Sequence, residues 1–69
     1  MKDKISKRIK EIRLEAGKSQ TAFGKELFVS QDTVSLWEQG KSLPSIEIVI
    51  LIAEKYNLST DYILCLKEQ

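Results

Sequence analysis

Gln31, Asp32, Thr33, Ser35 and Leu36 form a short run of amide, carboxylate, hydroxyl and apolar groups with no lysine or arginine among them. A solubilising helix face is usually built from Lys and Glu. Amides, hydroxyls and small apolar groups are instead what contact with base edges in a DNA major groove requires. Gln31 can bond adenine through both N6 and N7, and Ser35 can donate or accept. The Thr33 methyl and Leu36 suit a thymine methyl, while Asp32 can accept from a cytosine amino group but repels phosphate. The plain alternative is an ordinary surface helix, and the spacing of the surrounding elements argues against it.

Those elements are helical. Ser19 is an N-cap residue ahead of Ala22, Phe23, Glu26 and Leu27 at helical spacing. The apolar rhythm breaks at Phe28-Val29, and Ser30 is a second cap for a helix over 31–38, whose Val34 and Trp37 face the opposite way from Gln31, Asp32, Ser35 and Leu36. Two helices joined by about three residues have the spacing of a helix-turn-helix. Gly40 stops the second of them and Pro44 prevents its resumption.

Before this unit, Ile5, Ile9 and Ile12 define a helix over 3–16 that ends at Gly17, with Lys7, Lys10, Glu11 and Glu15 outward and Arg13 at the edge of the stripe. After it, Ser45 caps a helix to Tyr56 with an inner stripe of Ile46, Val49, Ile50, Ile52, Ala53 and Tyr56, which leaves Ile48 and Leu51 as surplus apolar surface. A fifth helix is predicted from Ser59 or Thr60, with Asp61 in its first turn and Tyr62, Ile63, Leu64 and Leu66 along it. Only Met1-Lys2 and 67–69 read as loose ends.

A chain of 69 residues is one small domain spanning 1–69, too small for a multi-layer enzyme. Histidine is absent and only one cysteine, Cys65, is present. No internal disulfide, metal site or cofactor is therefore expected, and Cys65 reads as a small apolar residue. No apolar run reaches the roughly 18 residues of a membrane span, and the lysine-rich start passes directly into an amphipathic pattern, so the expected location is the cytoplasm. The net charge of +1 is unevenly spread: +4 over residues 1–18, −1 over 19–44 and −2 over 45–69. A local positive field at the first helix can therefore attract phosphate although the whole is nearly neutral.

Arg13, Gly17, Ser19-Gln20, Phe23, Leu27, Val29-Ser30-Gln31, Thr33-Val34-Ser35, Trp37-Glu38, Gly40, Pro44 and Asp61-Tyr62-Ile63-Leu64 together resemble the phage-repressor and Cro-like helix-turn-helix proteins, the XRE family. The resemblance spans nearly the whole chain and lies in the joint spacing. It departs at Phe28, where the turn usually has glycine, at Lys18, usually apolar, and at Asp32, usually polar or basic.

The resemblance implies an all-α, five-helix lambda-repressor-like domain that binds duplex DNA as a homodimeric transcriptional repressor of bacterial or phage, nucleoid-associated type. It implies base reading by Gln31, Asp32, Thr33, Ser35 and Leu36, and phosphate contacts at Gln20, Ser30, Lys41 and Ser42. A structural ion pair is implied between Arg13 and Glu38, whose fork and carboxylate match bidentately. The dimer contact maps to Leu43, Thr60, Tyr62 and Ile63, with Cys65 and Leu66 as extensions. No small-molecule ligand and no membrane partner are expected. The competing reading keeps the fold but makes it a protein-interaction module working through helices four and five, which Asp32, Leu36 and the low net charge favour.

Overall fold

The computed structural model describes residues 1–66, and the predicted looseness of 67–69 lies outside them. Among the described residues five helices follow one another: α1 Lys2–Glu15, α2 Gln20–Glu26, α3 Gln31–Glu38, α4 Ile46–Tyr56 and α5 Thr60–Ile63. Four of the starts are capped as the sequence predicts. The hydroxyls of Ser19, Ser30, Ser45 and Ser59 accept from the amides of Ala22, Thr33, Ile48 and Tyr62, each satisfying one amide that the first helical turn leaves orphaned. At the chain start the expectation of a loose Met1-Lys2 is corrected. Lys2 is already helical, and the Met1 carbonyl accepts from the Ile5 amide.

Helix ends are set by left-handed residues. Gly17 and Gly40 have φ of 71° and 75°, and Asn57 adopts 55° at the end of α4, where the Leu58 amide returns to the Ala53 carbonyl. Helix α5 is shorter than predicted. It closes at Leu64, Cys65 takes φ 64°, and the Leu66 amide folds back to the Asp61 carbonyl, so Leu66 lies beyond the helix and is exposed.

The core gathers Ile5, Ile9 and Ile12 of α1, Phe23 and Leu27 around α2, Val34 and Trp37 of α3, Val49 and Ile52 of α4, and Ile63 of α5. Helix α1 packs on α3 and α5, α2 on α3, and α4 on α5. The faces of α1 and α3 match the predicted stripes. That of α4 does not: Ile48 and Leu51 are half-buried against the core, whereas Ile46 is 79% and Ile50 45% exposed. A helix apolar around most of its circumference has no strong amphipathic axis, so its rotation is chosen by α5 and the rest of the core rather than by its own pattern.

Arg8 is also inside. It occupies a core-facing position between Ile5 and Ile12, its guanidinium lies 4.1 Å from the centre of the Tyr62 ring, Nη1 donates to the Tyr62 carbonyl, and Nε is 3.3 Å from Glu11. A delocalised, weakly hydrated guanidinium tolerates such a site, and the stacking holds α5 against α1.

Candidate nucleic-acid interface

Helices α2 and α3 are locked together before any side chain is aimed. In the turn, the Val29 amide donates to the Gly24 carbonyl at 2.9 Å, and a side chain at Gly24 would meet the Val29 carbonyl oxygen at 2.8 Å. The glycine therefore lets the turn backbone close onto α2. Phe28 makes the reversal with φ 62° and leaves its ring 84% exposed. The turn keeps the left-handed geometry that glycine ordinarily supplies, with an L-residue in it.

The buried side of the interface is a polar network. Arg13 donates through Nε to Glu38 Oε2 at 2.6 Å, through Nη2 to Glu38 Oε1 at 3.0 Å, and through Nη1 to the Lys18 carbonyl at 2.8 Å. The Glu38 carboxylate is 5% exposed, and hydrogen bonding to it holds the Arg13 pKa above its ordinary value. Gln20 Nε2 donates to the same Oε1 at 3.0 Å, and Gln20 Oε1 accepts from Gln31 Nε2 at 2.7 Å. A continuous line of hydrogen bonds thus runs from α1 through the end of α3 and the start of α2 to the first residue of α3.

On the outer side, Gln31, Asp32 and Leu36 are exposed and Ser35 is half-buried, all on one face of α3. Thr33 is half-buried, with its hydroxyl 3.0 Å from that of Ser30, so it is part of the cap as well as of the face. Gln20 is half-buried, whereas Ser30 and Lys41 are exposed and Ser42 is half-buried. The Lys41 and Ser42 amides both return to the Leu36 carbonyl, which brings the segment after α3 back beside that helix. Gln39 was not singled out from the sequence. It continues the 31, 32, 35, 36 stripe by one more step, and its Nε2 donates to Ser35 Oγ at 2.6 Å.

The predicted dimer residues divide. Ile63 is fully buried in the chain's own core and offers nothing to a second molecule, and Tyr62 is half-buried with its ring beneath Arg8. Leu43 and Thr60 are exposed, and Thr60 lines an apolar groove of about 360 Å³ together with Pro44, Ile46, Val49, Ile50 and Leu64. Cys65 is half-buried, with its thiol 3.3 Å from the Lys4 carbonyl. Among the described residues no helix is long and apolar enough to cross a membrane, and no cluster of acidic residues or cysteine has metal-ligand grouping.

The fold is that of a repressor-like helix-turn-helix DNA-binding domain, and the chain belongs to the helix-turn-helix family, whose profile matches residues 9–63. It is 32% identical over 60 residues to the HTH-type transcriptional regulator ImmR of Bacillus subtilis, an alignment that covers 87% of this chain and 47% of ImmR. The chain therefore spans about half the length of that relative. Among solved structures it superposes on the P22 c2 repressor, crystallised in complex with synthetic operator 9T in the presence of Tl+, with a TM-score of 0.78 and 29% identity over 86% of this chain and 89% of that one.

Proposed function

We propose that this chain is a sequence-specific, non-enzymatic transcriptional repressor that binds duplex DNA as a homodimer, with α3 lying in the major groove. One observation carries the reading: the polar line from Arg13 to Gln31. Arginine only donates and a carboxylate only accepts, so Gln20 must turn its amide nitrogen to Glu38 and its carbonyl to Gln31. Gln31 must then answer with its nitrogen. Its carbonyl and second N–H remain side by side, the acceptor–donor pair that adenine N6 and N7 require. A base-reading amide whose orientation is set by a buried charge pair is a pre-organised contact, since less side-chain freedom is lost on binding.

Asp32, Thr33, Ser35 and Leu36 then read neighbouring edges, with Asp32 favouring a cytosine amino group over phosphate. Gln20, Ser30, Lys41 and Ser42 meet the backbone of the same half-site and set its register. The P22 c2 repressor, which carries the same fold, is bound to an operator in its crystal structure, and this supports a duplex partner here. The groove beside Leu43 and Thr60 takes a second copy of the chain, which brings two recognition helices onto successive major-groove faces about one DNA turn apart. The site of action is the nucleoid of a bacterial or phage-infected cytoplasm.

Selection of bound sequences from a randomised duplex pool tests the reading. A preferred site is expected, with log affinity falling linearly in log salt by about 0.9 per phosphate neutralised. Gln31→Ala should cost about 1–3 kcal/mol on that site and little on random duplex. Binding that is absent across the pool, or losses that are equal on both duplexes, would refute it.

A further inference from the structure

We propose that Gln39 is a positioning residue that sets the hydrogen-bond polarity of Ser35, so that Ser35 reads DNA as a donor. The inference rests on the DNA-binding reading and extends it to a residue outside the usual run of base contacts. Gln39, the residue that caps the C-terminus of α3, lies one turn beyond Ser35 and prolongs the exposed stripe, and its Nε2 donates to Ser35 Oγ at 2.6 Å. A serine hydroxyl has one hydrogen and two lone pairs. Here one lone pair is occupied by the amide. Mid-helix serines commonly retire that hydrogen into the carbonyl four residues back, where it reads nothing. Gln39 engages the oxygen and leaves the hydrogen to be donated, and a hydroxyl that accepts one hydrogen bond donates another more strongly. Ser35 is thereby biased towards acceptors on the base edge, such as guanine O6 and N7 or thymine O4, over the cytosine amino group, for which one lone pair remains.

Gln39→Ala should release the hydroxyl, whereas Gln39→Glu should reverse it, because a carboxylate only accepts and takes the Ser35 hydrogen for itself. The experiment selects sites from a randomised duplex pool with wild type, Ser35→Ala, Gln39→Ala and Gln39→Glu, each first checked for wild-type helicity and melting. Ser35→Ala identifies the base pair that Ser35 reads, as the position at which preference is lost. At that position wild-type discrimination of about fivefold is expected to flatten in Gln39→Ala and to change sign in Gln39→Glu. Overall affinity of the glutamate variant will fall on every duplex because it adds a negative charge near phosphate, so the readout is the preference and not the affinity. Retention of the wild-type preference in both Gln39 variants would overturn the inference and leave the DNA reading intact, as would a Ser35→Ala variant that relaxes no position. A wild type that enriches no sequence would overturn the DNA reading itself.

Discussion

Phe28 is a bulky side chain in a backbone conformation that favours glycine, with φ 62° and almost no burial to offset it. The left-handed region costs an L-residue about 1–2 kcal/mol, and glycine gives back about half of that through the greater freedom of its unfolded chain. Phe28→Gly is therefore expected to stabilise the domain by about 0.5–1 kcal/mol. Urea unfolding measures it, and a variant less stable than wild type would mean that the ring contributes packing. The ring is nevertheless retained at the tip of the turn, and nothing in the structure explains it. Asp32, the other departure in the helix-turn-helix, sits in the first turn of α3, where a carboxylate is favoured by the helix N-terminus.

At the scale of elements, two ties decide how α2 and α3 are held. The first is Arg13–Glu38, between α1 and α3. Glu38→Ala leaves a buried guanidinium short of its partner and should cost about 3–5 kcal/mol, comparable to the roughly 3–10 kcal/mol that a chain of this size has in total. The double variant Arg13→Met/Glu38→Leu replaces the pair with apolar groups, which is commonly near neutral for stability. Denaturation should then return close to wild type while Gln20 and Gln31 lose their fixed orientation, so discrimination at the Gln31 base should not recover. Recovery of both would show that the network serves folding alone.

The second tie joins α2 to α4. Glu26 pairs with Lys18 at 2.5 Å and accepts from the Tyr56 hydroxyl, and the Tyr56 ring stacks on Phe23 with centroids 6.0 Å apart. Burial and then the Glu26 hydrogen bond push the Tyr56 pKa up to about 12, while Lys18 and then Tyr56 hold Glu26 below its ordinary value. A phenol whose folded pKa is raised stabilises fully below its ordinary 10.0 and loses that contribution as pH rises from 10 towards 12. The depressed carboxylate contributes above its ordinary 4.5 and loses it as pH falls. The difference in melting temperature between wild type and Tyr56→Phe should thus be widest between about pH 5 and 10 and narrow at both ends. A difference that is flat from pH 4 to 12 would show that the hydroxyl titrates as it does in water.

For the whole molecule, the question is what covers Leu43, Ile46 and Ile50. A domain of 27 × 24 × 21 Å that exposes Ile46 and Ile50 along one groove, with Leu43 exposed just before Pro44 of its lining, presents the kind of patch that marks an interaction site. Residues close to a two-fold axis meet their own copies, so a lysine introduced there faces a lysine. Ile50→Lys is expected to weaken self-association and binding to the selected site together, while the monomer stays folded and its affinity for random duplex holds. Sedimentation over a concentration series, with and without the selected duplex, is the measurement. A wild type that remains monomeric on its site, or a variant that associates as well as wild type, would assign the groove to a different partner. Tyr62 is a poorer probe, because a lysine in its place would confront Arg8 and unsettle the monomer.

The sequence by itself determined what is local. Capping serines, left-handed glycines and the apolar stripes of α1 and α3 act within one or two turns of chain, so five helices, the four serine-capped starts and the helix-turn-helix spacing were legible from residue types alone. The face that would carry Gln31, Asp32, Ser35 and Leu36 followed from the same periodicity. Tertiary structure decided whatever depends on a partner far along the chain. Arg8 stands on the core stripe of α1, but it turns inward only because Tyr62, 54 residues later, offers a ring and a carbonyl. Helix α4, apolar nearly all round, was free to rotate, and α5 chose Ile48 and Leu51 for the inside and Ile46 and Ile50 for the outside. The orientation of the Gln31 amide likewise comes from a charge pair whose two halves lie 25 residues apart, and no local pattern encodes which end of an amide faces outward.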